Sequence, residues 1–154
     1  MTATHDNPAD RTMRIERVIN AKPDEIWRAW TDPDLLPRWW GPDGFSCDTT
    51  RIDLREGGEW VFDMIGPDGT RYPNQHEFVA YDRPNRIEYN LNRGAGGPKH
   101  ADVTVTIDDL GDGKSRLTLT MIMSDQADYN AAMSMGAERL GLQTLGKLAA
   151  LVEA

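Results

Sequence analysis

IWRAWTDPDLLPRWWGP, residues 26–42, holds four of the chain's five tryptophans. Their spacing is that of helix rather than strand. Ile26, Trp27 and Trp30 fall on one face at three- and four-residue intervals. Just upstream, AKPDE supplies a helix start: Pro23 suits a first turn, and Asp24 and Glu25 suit its positive end. Asp32 then offers a cap and Pro33 a first position for a second helix, which Pro37 shortens. Adjacent residues point in different directions on any regular element, so Trp39 and Trp40 serve two surfaces. One can join a core, which leaves the other to be accounted for.

Outward from this stretch the hydrophobic period changes. Upstream, MRIERVIN (13–20) reads as a strand. Downstream, from Phe45 to Ser124, six segments alternate apolar and polar residues and are separated by turns rich in Gly, Pro, Asp and Asn. EWVFDMI sets Trp60, Phe62 and Met64 on one side, and RIEYNLN does the same with Ile87, Tyr89 and Leu91. ADVTVTID aligns Val103, Val105 and Ile107, and SRLTLTMIM aligns Leu117, Leu119, Met121 and Met123. Short loops and clean alternation predict an antiparallel meander with one wet face. From about Asp125 the helical period returns, with Met133, Ala137, Leu140, Thr144, Leu148 and Leu151 in a stripe. This predicts one helix of roughly 25 residues, about 38 Å long. Gly136, Gly141 and Gly146 along it are read as points of close approach to the sheet. The expected fold is thus α+β in the order β-α-α-β6-α, about seven strands followed by one long C-terminal helix.

The chain has 154 residues and a net charge of −8. That length fits one domain with a substantial core, read as residues 12–154 behind a disordered leader at 1–11. The acidity excludes nucleic acid as a partner, because phosphate binding needs a basic face. No apolar run approaches the ~18 residues of a membrane span, and the first residues lack a signal-peptide pattern. The single cysteine, Cys47, permits no intrachain disulfide and fits a cytoplasmic setting.

Five motifs then fall in order. IWRAWTDPDLLPRWWGP is similar to a W-x-A-(x)-T-D-P-x-x-L-x-x-W-W-x-P segment, and LREGGEWVFDM to an R-x-G-G-x-(aromatic) turn and strand. GPDGT matches a P-D-G hairpin, YDRPNRIEY an x-x-P-x-R corner, and GLQTLGKLAALV a terminal G-x-x-x-(T/x)-L-x-x-L-A helix. Together they resemble the branch of the START-like (SRPBCC) superfamily named for the activator of the heat-shock protein 90 ATPase. The resemblance covers residues 13–152. It implies a helix-grip fold, a curved antiparallel sheet around a C-terminal helix with an internal cavity. It also implies that one tryptophan of the adjacent pair packs beneath the short helix and that the other, assigned to Trp40, faces this cavity. The chain departs from the family in NQHEF, where relatives carry a glycine near His76, and at Leu142, where many have Trp. Nothing here resembles the additional domain of the chaperone activator itself.

Catalytic patterns are sparse. The histidines are His5, His76 and His100. His5 falls in the leader, and His100 follows the RGAGGP loop and is read as solvated. His76 lies mid-strand; facing inward, it would orient a ligand or move a proton. Its neighbour Glu77 points to the opposite side, so the two form no catalytic pair. No His, Cys or carboxylate spacing suits a metal, DDLGDG (108–113) lacks the loop of a calcium hand, and no G-x-S-x-G elbow is present. No catalytic residue, metal or cofactor is therefore assigned. The methionines point elsewhere, because Met suits surfaces that accept variable apolar shapes. The expected cavity lining is Trp40, Trp60, Phe62, Met64, His76, Tyr89, Met121, Met123, Met133, Ala137 and Leu140. Met133 and Met121 are expected to face each other across it. The leading reading is a binding protein for a hydrophobic small molecule, lipid-like or polycyclic aromatic, acting as a monomer or homodimer. Two alternatives stand beside it. One is a polyketide cyclase/aromatase-like enzyme using His76, Tyr89 and Asp63. The other is a resistance or stress protein that sequesters a toxic metabolite.

Overall fold

The computed structural model describes residues 7–153. It contains strand β1 (Thr12–Ile19), helices α1 (Pro23–Thr31) and α2 (Leu36–Trp39), strands β2 (Ser46–Ile52), β3 (Glu59–Ile65), β4 (Arg71–Asp82), β5 (Arg86–Asn92), β6 (Lys99–Gly111) and β7 (Lys114–Met123), then helices α3 (Gln126–Ser134) and α4 (Ala137–Glu153). The strands form one antiparallel sheet in the order β1-β7-β6-β5-β4-β3-β2. The meander expected from the alternation is present, and β1 closes onto β7 at the far edge. Inward-facing Tyr89, Val103, Val105, Ile107 and Leu117 are essentially solvent-free. The opposite face carries Asp102, Thr104 and Thr106, which retain exposure.

Three expectations are corrected. First, the leader does not extend to residue 11. Pro8–Arg11 form a 3-10 turn capped by Asn7, and Arg11 donates to the Met123 carbonyl. Residues 1–6, His5 among them, lie outside the described residues. Second, α2 is a single turn that begins at Leu36, with Pro37 in its opening positions rather than ending it. Asp32 instead terminates α1 and accepts from the Asp34 amide at 2.8 Å. Third, the C-terminal helix is two helices. Gly136 adopts φ +78°, and its amide and that of Met135 turn back to the Met133 and Ala131 carbonyls. A left-handed glycine just past a helix end is a stop signal, and here it outweighs the continuous apolar stripe. Close approach does govern Gly141, where a Cβ would stand 2.6 Å from Ile15 Cδ1 of β1.

The tryptophan stretch anchors the helical layer. Trp39 is 1% exposed, donates its indole N–H to the Ala29 carbonyl at 3.0 Å and meets Trp30 edge-on at 4.8 Å. Such pairs add about 0.5–1.5 kcal/mol beyond their buried area. In the LREGG turn, Gly58 donates to Arg55 O and accepts from the Phe78 amide, pinning the loop before β3 to β4. A Cβ at Gly58 would stand 2.2 Å from the Asp53 carbonyl oxygen, a backbone atom. Gly58→Ala is therefore expected to cost about 2 kcal/mol or more and to lower the thermal midpoint by several degrees. An unchanged midpoint would show that this loop does not constrain the fold.

Candidate functional site

Between the sheet and α4 lies an apolar cavity of about 200 Å³. β1 contributes Met13 and Ile15 to it, and β7 contributes Leu119, Met121 and Met123. Trp40 and Met64 close one side, and Ala137, Leu140 and Gly141 of α4 form the roof. The cavity sits at the N-terminal end of α4, whereas Leu148 and Ala149 toward the other end are packed solid. Gly141 shapes the roof, since any side chain there would fill space now shared with Ile15 and Met13. Of the residues expected to line the cavity, Trp40, Met64, Met121, Met123, Ala137 and Leu140 are brought together.

Trp60, Phe62, His76, Tyr89 and Met133 are not among the lining residues. The first four do face inward, but they fill their own space. Trp60 stacks on Phe62 at 3.7 Å and His76 on Tyr89 at 4.3 Å, and each of the four is at most 1% exposed. Edge contacts from His76 to Trp60 and Phe62 lock the two stacks into one block. Trp40 stands between this block and the cavity, 5.1 Å from the His76 ring and 6.3 Å from Trp60. Burial pushes the His76 pKa down to about 3 and raises that of the Tyr89 phenol. His76 is therefore a neutral core ring at pH 7. Met133 is displaced by the helix break: on α3 it is Ala132 that reaches the cavity, while Met133 packs partly buried against the core.

One lining residue escaped the sequence reading. His100 borders the cavity with its side chain only 22% exposed. It sits where β5 and β6 slip register, Leu91 pairing with Ala101 and Asn92 with Lys99. His100 is thus the extra residue of a β-bulge, a feature that re-aims a side chain relative to strict alternation. Its Nδ1 lies 2.9 Å from Arg93 Nη2, which also donates to Asp128 Oδ1 at 3.0 Å. Burial and the Arg93 charge push the His100 pKa down, against the opposing pull of Asp128 and Asp125.

Asp63 does not face the cavity constellation. It pairs with Arg71 at 3.2 Å, alongside Asp48 at 2.9 Å, among exposed side chains. Such pairs contribute little. Cys47 lies 3.5 Å from the Trp40 carbonyl, and burial pushes its thiol pKa up to about 12, so it is not a reactive thiolate. Among the described residues no group of three or more His, Cys, Asp and Glu could hold a metal ion, and no helix is long and apolar enough to cross a membrane.

A seven-stranded antiparallel sheet closed by a C-terminal helix over an apolar cavity defines the helix-grip class of α+β domain. The chain belongs to the family described as Activator of Hsp90 ATPase homolog 1-like protein, which it matches over residues 20–153. Among solved structures it is similar to a protein from Arthrobacter aurescens at 21% identity and TM-score 0.83, covering 98% of this chain and 91% of that one. A protein from Mycobacterium smegmatis is 24% identical at TM-score 0.83, with 99% and 97% of the two chains covered. One from Chromobacterium violaceum is 27% identical at TM-score 0.76, with 93% and 98% covered. No curated protein matches the sequence.

Proposed function

We propose that this protein binds a compact, rigid hydrophobic molecule, of the size of two or three fused rings, in the cavity under α4. The observation that carries the reading is the lining: four methionines, Trp40 and Leu140 around about 200 Å³, with polar groups confined to His100 and Thr144 at its edges. Methionine side chains adapt to flat or irregular apolar shapes and favour aromatic partners. The volume lies below the ~300–1,000 Å³ usual for drug-sized ligands. This favours the polycyclic option over a long lipid chain. The cyclase alternative would have to work without the residues first assigned to it, because His76 and Tyr89 lie behind Trp40 and Asp63 is held by Arg71. Sequestration of a toxic aromatic metabolite needs the same pocket and no further group.

The test is a fluorescence titration with N-phenyl-1-naphthylamine, competed by phenanthrene and by a saturated fatty acid. Saturable micromolar binding displaced by phenanthrene supports the proposal. Displacement by the fatty acid alone would make the ligand lipid-like, and no saturable binding would overturn the reading.

A further inference from the structure

We infer that His100 is the polar anchor of the cavity and that it presents an Nε2–H donor, so the ligand is an aromatic molecule carrying an oxygen acceptor, such as an aryl ketone or quinone. This rests on the binding reading above and specifies the ligand that site would select.

The argument runs from hydrogen-bond chemistry. A guanidinium has donors and no acceptor. Its Nη2 lies 2.9 Å from His100 Nδ1, so Nδ1 must accept. Asp128 Oδ2 stands 3.6 Å from the same nitrogen, outside hydrogen-bond range. A neutral imidazole that accepts at one nitrogen carries its proton on the other. The proton therefore sits on Nε2, the nitrogen turned away from Arg93 and Asp128. Among the charged groups around the ring, Arg93 comes from the β5–β6 loop and Asp125 and Asp128 from the start of α3. Arg93 bonds both His100 and Asp128, which fixes the ring's orientation from two elements. The β-bulge at residue 100 is what turns the side chain to the cavity instead of following strand parity. The other polar group of the lining, the Thr144 hydroxyl, already donates to the Leu140 carbonyl at 3.2 Å. His100 is thus the one donor left to select by orientation: a bound carbonyl gains a partner, and a hydrocarbon of the same shape does not.

Two measurements test this together. The first is nitrogen NMR of the histidine rings in the wild-type protein at neutral pH, with His100 assigned by loss of its signals in His100→Phe. The expected result is a protonated Nε2 and an unprotonated Nδ1; an Nδ1–H tautomer overturns the inference. The second compares 2-acetylnaphthalene with 2-isopropylnaphthalene, near-isosteres that differ by the acceptor, on wild type and His100→Phe. The ratio of their affinities cancels their different hydration. The wild type should favour the ketone roughly fivefold more than the variant does, the equivalent of one neutral hydrogen bond. An equal ratio in both proteins, with both probes bound, overturns the role of His100 and leaves the pocket standing. Failure of the wild type to bind either probe overturns the pocket reading and this inference with it.

Discussion

Replacing Ala137 by Trp should weaken N-phenyl-1-naphthylamine binding by about 100-fold or more, the effect of denying the probe roughly 3 kcal/mol of apolar burial. Ala137 opens α4 and its methyl borders the cavity, with Leu140 one turn further along. An indole there projects into about 200 Å³ of space between α4 and the β7 methionines. Because that space is not packed, the thermal midpoint should hold or rise. Were the methionines close-packed core, the same substitution would overpack it and cost about 1–3 kcal/mol. Binding and midpoint measured on the same preparations separate the two cases.

The second large effect is one of pH. His76 is buried in the aromatic block with its folded pKa near 3, against 6.5 for an ordinary imidazole. The unfolded chain therefore takes up a proton at this ring below pH 6.5 that the folded chain refuses. Stability from this group is complete above pH 6.5 and is lost as pH falls toward 3. The slope is up to about 1.4 kcal/mol per pH unit and the total is on the order of 5 kcal/mol. His76→Leu removes the titration. Urea unfolding of wild type and variant should accordingly show their stability difference shifting by about 2 kcal/mol in favour of the variant between pH 7 and pH 5. Parallel profiles would mean that His76 is not held neutral in the core. In either case the comparison excludes the exposed carboxylates, which are common to both proteins.

Much of the architecture was legible because its elements obey simple periods. The ends of β3 and β5 follow directly from the alternation in EWVFDMI and RIEYNLN and from the turns beside them. The logic of adjacent residues separates Trp39 from Trp40 but does not say which of them faces the cavity; that choice rests on the family resemblance. What periodicity reports is the face a residue occupies, not whether that face is hollow. Alternation set Trp60, Phe62 and Tyr89 on apolar faces and left the direction of His76 open; whether four such rings leave space depends on how they stack on one another, which strand spacing does not encode. His100 was missed for a related reason. A one-residue bulge reverses parity locally, and it is visible only once Leu91 and Asn92 are paired with their partners. The break at Gly136 did carry a signal. SMGAE contains a glycine followed by a fresh acidic start, Glu138, but the apolar stripe ran through it and masked the stop.

The central claim is that the methionine-lined space receives an aromatic molecule, and the methionine methyls can report this directly. Met13, Met64, Met121 and Met123 border the cavity, whereas Met135 is 72% exposed at the α3–α4 junction. In a titration of methyl-labelled wild-type protein with 2-acetylnaphthalene, ring currents should shift the resonances of Met13, Met64, Met121 and Met123 saturably, with a common dissociation constant, and leave Met135 unmoved. Shifts absent from all four, or strongest at Met135, would contradict the account.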